Sequence, residues 1–147
     1  MDALELLKQD HKKVKELFKQ VEGVEEDKQK KKIFSQIKSE LETHARIEED
    51  IFYPAVQNYD ELRDKVLESV EEHKQIKTLL REIDDLVSDS EKFEPKLKVL
   101  QENVEHHAEE EEEGEMFPKV RKLMTKAELE ELGEQLKAAK AKSRAAA

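Results

Sequence analysis

The chain has 147 residues, of which 44% are charged and 5% aromatic, with three glycines, three prolines, no cysteine and a formal net charge of −10. So little turn-forming material beside so much charge of mixed sign points to one domain of amphipathic helices. The acidic balance argues against a phosphate-binding nucleic-acid surface, and without cysteine any bound metal must use nitrogen and oxygen donors.

Asp2, with Glu5 three residues on, opens a first helix in the manner of a capping box, with Leu4, Leu7, His11, Val14, Phe18 and Val21 on one stripe and a stop near Gly23. Asp27 starts a second, whose stripe reads Ile33, Ile37, Leu41, His44, Glu48, Ile51 and Ala55 in constant phase until Pro54 kinks or ends it. A third begins near Asp60 and carries Leu62, Val66, His73, Ile76, Leu80, Ile83 and Val87 before Ser88-Asp89-Ser90 breaks the pattern. Pro95 suits the first turn of a fourth, which presents Leu97, Leu100, Val104, His107 and Glu111, then Met116, Phe117, Val120 and Leu123. These two groups lie more than a quarter turn apart on a helical wheel, an offset that one residue inserted as a π-bulge would produce, with Gly114 a place for the strain to relax. Thr125 and Glu128 form a capping box for a fifth helix, whose Leu129, Leu132 and Leu136 pack on the bundle or bind a partner chain; the polar end beyond it is expected to fray. The expected fold is all-α: an up-down-up-down four-helix bundle over residues 1–124, with an additional C-terminal helix and tail over 125–147.

His11, His44, His73 and His107 each sit on the apolar stripe of a different helix, at successive gaps of 33, 29 and 34 residues. Near-equal gaps return an up-and-down chain to the same level, so the four imidazoles meet in one layer. Glu48 and Glu111 lie one turn after His44 and His107 and project from the same faces. A single His-x-x-x-Glu carries little information in a chain this rich in glutamate, but six polar groups converging in a core are costly without a compensating centre. Six nitrogen and oxygen donors exceed one tetrahedral zinc and suit two metals, iron first, with the carboxylates able to bridge. Helical phase favours His107 over its neighbour His106, and Asp10 reads as solvated or as an outer partner rather than a ligand.

Asp10-His11, His44-x-x-x-Glu48 with Ile51-Phe52-Tyr53-Pro54, Glu72-His73, and His106-His107 followed by an acidic run ending Met116-Phe117-Pro118 together resemble the hemerythrin-like family, the HHE cation-binding domain, across most of the chain. The resemblance implies a four-helix bundle around two non-haem iron ions, carboxylate-bridged and open to an oxo bridge, with His11, His44, Glu48, His73, His107 and Glu111 as metal ligands. Two departures stand out. Lys77 occupies the place of a second third-helix histidine in the oxygen carriers, which implies an open iron position. Aligning from Pro118 rather than from His107 selects Glu112 in place of Glu111, as a π-bulge would allow.

The expected function is binding of oxygen, nitric oxide or hydrogen peroxide at that open iron position, in an oxygen, nitric oxide, peroxide or stress response or in iron handling; catalase-like or nitric-oxide-handling activity is the enzyme form. The alternatives are a metal-free helical interaction module and an iron donor for iron–sulfur cluster repair. No stretch approaches the roughly 18 apolar residues of a membrane span, and the N-terminus lacks a targeting pattern. A cytoplasmic protein is expected, contacting neither nucleic acid nor membrane, as a monomer or a weak homodimer through the C-terminal helix.

Overall fold

The computed structural model describes residues 1–87 and 89–146, and the chain among them is helical throughout, in five helices joined by short connections. Helix α1 is Ala3–Glu22, and α2 runs from Asp27–Ile47 through a π-helical stretch, Glu48–Phe52, into Tyr53–Val56. Helix α3 is Asp60–Asp84; α4 runs from Phe93–Glu105 through a longer π-helical stretch, His106–Met116, into Phe117–Leu123; and α5 is Lys126–Ala146. Helices α1 to α4 form the bundle, and α5 lies against α1 and α2. Among the described residues no helix is long and apolar enough to cross a membrane.

The helix starts follow from local chemistry. Asp2 accepts the Glu5 backbone N–H at 2.9 Å, satisfying one of the donors a helix leaves unpaired at its first turn. Thr125 and Glu128 make the full reciprocal box, at 2.8 and 3.1 Å. Asp27 and Asp60 open α2 and α3.

Both long composite helices change register just ahead of a proline. The Tyr53 N–H bonds back to the Glu48 carbonyl and the Phe117 N–H to the Glu112 carbonyl, each spanning five residues instead of four. Pro54 and Pro118 lack an N–H and crowd the carbonyl four residues back, so the widened turn costs little where it precedes them. The slip in α4 agrees with its pattern; the one in α2 departs from the constant phase its stripe suggests. At Gly114, an added methyl would lie 3.1 Å from the Glu109 carbonyl oxygen, so glycine suits this π-helical backbone.

Two apolar blocks fill the bundle. One gathers Leu4, Leu7, Phe52, Leu62, Phe117 and the α5 leucines, and the other Val14, Phe18, Phe34, Ile37, Leu80 and Leu100. Between them lies a layer of polar side chains. Leu129, Leu132 and Leu136 are buried within the chain, so that stripe is not free for a second copy. The close crossing is made at Gly133, whose missing side chain leaves room for the backbone of Met1, Asp2 and Ala3.

Two further details depart from the sequence pattern. Val87 lies beyond the end of α3 and is 68% exposed. The polar C-terminal end, expected to fray, is helical to Ala146, with Lys140 paired to Asp10 and Arg144 to Glu40. Ser88 of the expected breaker and Ala147 of the expected tail lie outside the described residues.

Candidate metal centre

The polar layer holds His11, His44, Glu48, His73, His107 and Glu112, supplied by all four bundle helices. The histidines meet in pairs, His11 Nε2 3.1 Å from His44 Nε2 and His73 Nε2 3.0 Å from His107 Nε2. Glu48 Oε1 reaches both pairs, 3.2 Å from His44 and 3.1 Å from His73. Glu112 Oε1 does the same from the other side, 3.1 Å from His11 and 3.5 Å from His107. Two nitrogen pairs with two carboxylates between them are donors that could hold metal cations.

Outer carboxylates fix which nitrogen faces inward. Glu113 accepts from His11 Nδ1 at 2.7 Å, Asp10 from His44 Nδ1 at 3.0 Å, Glu49 from His73 Nδ1 at 3.0 Å and Glu72 from His107 Nδ1 at 2.7 Å. A carboxylate can only accept, so each Nδ1 carries a proton and each Nε2 offers a lone pair to the layer. The arrangement repeats across the bundle. The residue before each odd-helix histidine, Asp10 or Glu72, serves the histidine of the next helix, and the residue after each inner glutamate, Glu49 or Glu113, serves the histidine of the other half.

The layer is incomplete as a network of protein groups alone. Lone pairs face one another about 3 Å apart within each histidine pair, and among the described residues the buried Glu48 Oε2 has no hydrogen-bond partner. An orphaned buried carboxylate oxygen is costly, and only a cation or protons between these atoms remove the cost. The donors therefore fit a metal. Without one, protons take its place: burial opposes charge on His107, but the Glu112 charge and hydrogen bonds to Glu48 and Glu72 outweigh it and raise its pKa to about 10. Burial likewise opposes charge on His44, while Glu48 and Asp10 hold its pKa well above the ordinary 6.5. Burial opposes ionisation of Glu48, yet the His44 charge and hydrogen bonds in the layer keep its pKa well below the usual carboxylate range.

Five of the residues singled out in the sequence, His11, His44, Glu48, His73 and His107, come together in this layer. Of the two glutamates left open, Glu112 is fully buried in it, whereas Glu111 turns aside to Lys65 Nζ at 2.6 Å. The π-helical winding is the reason: five residues rather than four separate His107 from the next inward carboxylate. His106 points outward, half exposed, and Asp10 is a buried outer partner.

Tyr53 joins the layer without a signal in the spacing. Its hydroxyl donates to Glu112 Oε2 at 2.8 Å and lies 3.3 Å from His73 Nε2. Burial raises its pKa well above the ordinary 10, reinforced by the charges of Glu112 and Glu48, so it remains a neutral donor. Its counterpart after the second π stretch is Phe117, stacked near-parallel on His11 with ring centroids 6.1 Å apart. The two halves of the layer thus differ chemically: a phenol faces one, a phenyl the other.

A family model, the hemerythrin HHE cation binding domain, matches residues 2–120. A hemerythrin HHE cation binding domain-containing protein from Mycobacterium kansasii, known from its crystal structure, is 28% identical and superposes with a TM-score of 0.88 over 99% of this chain and 89% of that one. A DNA nickase of Nostoc is 28% identical over 142 residues, 97% of this chain but 40% of that protein, so the chain spans about two fifths of the curated relative's length. With a layer of histidines and glutamates between two apolar blocks and a family match over most of its length, the chain belongs to the hemerythrin HHE family of cation-binding domains.

Proposed function

We propose that the layer holds two non-haem iron ions, with His11, His44, His73 and His107 as terminal ligands and Glu48 and Glu112 as bridges, and that it receives a small molecule such as oxygen, nitric oxide or hydrogen peroxide. The observation that carries this reading is the position of the two carboxylates, each with one oxygen between the two histidine pairs. Two imidazoles with shared carboxylates give each position a ligand balance that suits ferrous iron and leaves coordination places unfilled. Iron, when bound, supplies reversible one-electron chemistry and affinity for small oxidants.

The chain's own residues decide what reaches the layer. A cavity of about 30 Å³, lined by His11, His44, His73, Ile76, Lys77 and Leu80 among others, adjoins the histidines. That is space for a guest the size of water, oxygen, nitric oxide or hydrogen peroxide. Lys77 donates to Glu49, at 3.0 Å, and Glu49 holds His73, so its amine supports the outer shell rather than filling a place beside the metal. Tyr53 offers a proton donor to the layer, which suits a bound oxidant that gains negative charge.

The experiment is exposure of anaerobic, iron-loaded protein in turn to oxygen, nitric oxide and hydrogen peroxide while absorbance and peroxide loss are followed. A saturable spectral change with at least one of them supports the proposal. No change with any, in protein shown to contain iron, contradicts small-molecule binding. Saturable binding without turnover distinguishes a sensor or carrier from a catalase-like or nitric-oxide-handling enzyme.

A further inference from the structure

A second set of donors lies outside the layer, on the α3 and α4 side. His106 turns away from its neighbour His107, half exposed, with Nδ1 held by Glu110 Oε2 at 2.7 Å. That bond repeats the device used on all four buried histidines and leaves the Nε2 lone pair outward. Nε2 is aimed between two carboxylate oxygens, Glu111 Oε1 at 3.4 Å and Glu72 Oε2 at 3.6 Å. Charge-assisted hydrogen bonds are shorter, about 2.7–2.9 Å. The observed spacings instead match those between ligands of one ion, about 3.4 Å for tetrahedral donors about 2.1 Å from the metal.

The surroundings favour a cation. Glu68, Glu71 and Glu72 line an open groove of about 320 Å³ together with His106. Lys65 neutralises the far oxygen of Glu111, at 2.6 Å, and leaves the near one facing His106. Glu72 serves both sites: Oε1 accepts from His107 Nδ1 at 2.7 Å, and Oε2 faces His106.

We propose that His106, Glu72 and Glu111 form an outer binding site for one divalent first-row cation, entered from the acidic groove and joined to the inner layer through the Glu72 carboxylate. One imidazole and two carboxylates are donors such ions accept, and solvent can complete the coordination. The inference does not depend on which metal the inner layer holds.

The test is a titration of the full chain, loaded at the inner layer and freed of excess metal, with Co2+ as the probe. Difference absorption in the cobalt d–d region and elemental analysis report cobalt bound and inner metal retained in the same samples. Wild type is expected to take up one further Co2+ per chain with inner metal unchanged. His106→Ala and Glu111→Gln should each weaken that uptake about ten-fold or more, with thermal stability kept because His106 is exposed and Glu111 lies at the edge. Glu109→Gln, an acid on the α1 side paired to Lys15, should bind as wild type does. Absence of a further Co2+, or equal binding by His106→Ala, would overturn the proposal. Inner metal is counted separately, and the Co2+ lost in His106→Ala relative to wild type reports the outer site whatever the inner layer holds.

Discussion

Exchanging Glu112 and Glu111 for alanine, one at a time, separates the layer from its surroundings. Glu112 is fully buried, with Oε1 between His11 and His107 and Oε2 accepting from Tyr53. Its loss removes one of two carboxylates shared by both halves, while the Tyr53 hydroxyl can turn to Glu48 Oε1, 3.3 Å away. Losing even an outer partner of a metal ligand costs about 10–100-fold in affinity, so loss of a direct donor should cost at least that. Each factor of ten is about 1.4 kcal/mol, and metal at about 1,000 times its dissociation constant stabilises a fold by about 4 kcal/mol. Loaded Glu112→Ala should therefore lose about 1.4–2.8 kcal/mol or more relative to loaded wild type, a fall in Tm of several degrees at this chain length. Glu111, with its side chain 13% exposed and paired to Lys65, stands for about 0–1 kcal/mol. Thermal melts with and without chelator, beside elemental analysis, read both. Loss of inner metal from Glu111→Ala with retention by Glu112→Ala would refute the reasoning.

Three further outcomes are expected. Asp10→Ala removes the acceptor on His44 Nδ1 and the partner of Lys140, and should weaken inner metal binding about 10–100-fold with the fold retained; unchanged metal affinity in competition with a chelator would count against the orienting role of the outer carboxylates. Gly133→Ala places a methyl 2.8 Å from the Asp2 carbonyl carbon and 2.9 Å from the Ala3 nitrogen, so urea denaturation should show a loss of about 1–3 kcal/mol; a change under about 0.5 kcal/mol would mean the crossing has slack. Metal-free protein should lose stability as pH rises from 6.5 toward about 10, because the raised folded-state pKa values of His44 and His107 make a contribution that is full below the unfolded value and disappears through the folded one. Loaded protein, whose inner nitrogens hold metal instead of protons, should not follow that decline, and parallel pH profiles for the two forms would contradict it.

Much of this architecture is legible in the residues themselves. Capping at Asp2 and Thr125 marks two helix starts because those side chains satisfy backbone donors locally, without help from the rest of the fold. The four stripe histidines are legible because an imidazole on each apolar face has few other places to go. Glu112 is harder to find, since its inward direction depends on a π-helical register that Pro118 and the packing of Phe117 decide together. The π turn after Glu48 leaves the α2 pattern looking regular and gives no warning. Glu49, Glu72 and Glu113 are hidden among 37 acidic residues; the one available cue is that Asp10-His11 and Glu72-His73 are parallel pairs, and so are Glu48-Glu49 and Glu112-Glu113. Tyr53 stands in the sequence only as part of Ile51-Phe52-Tyr53-Pro54, and the fold alone brings its hydroxyl into the layer. Gly133 matters because of the chain that crosses it, which is a tertiary fact.

The most direct test of the central claim is metal stoichiometry after anaerobic reconstitution with ferrous iron, counted by elemental analysis in wild type and in His44→Ala. Two firmly held irons per wild-type chain, with clear loss in His44→Ala, is the predicted result. A chain that folds metal-free and still retains no iron after reconstitution would contradict the account and return the layer to a set of protonated core histidines.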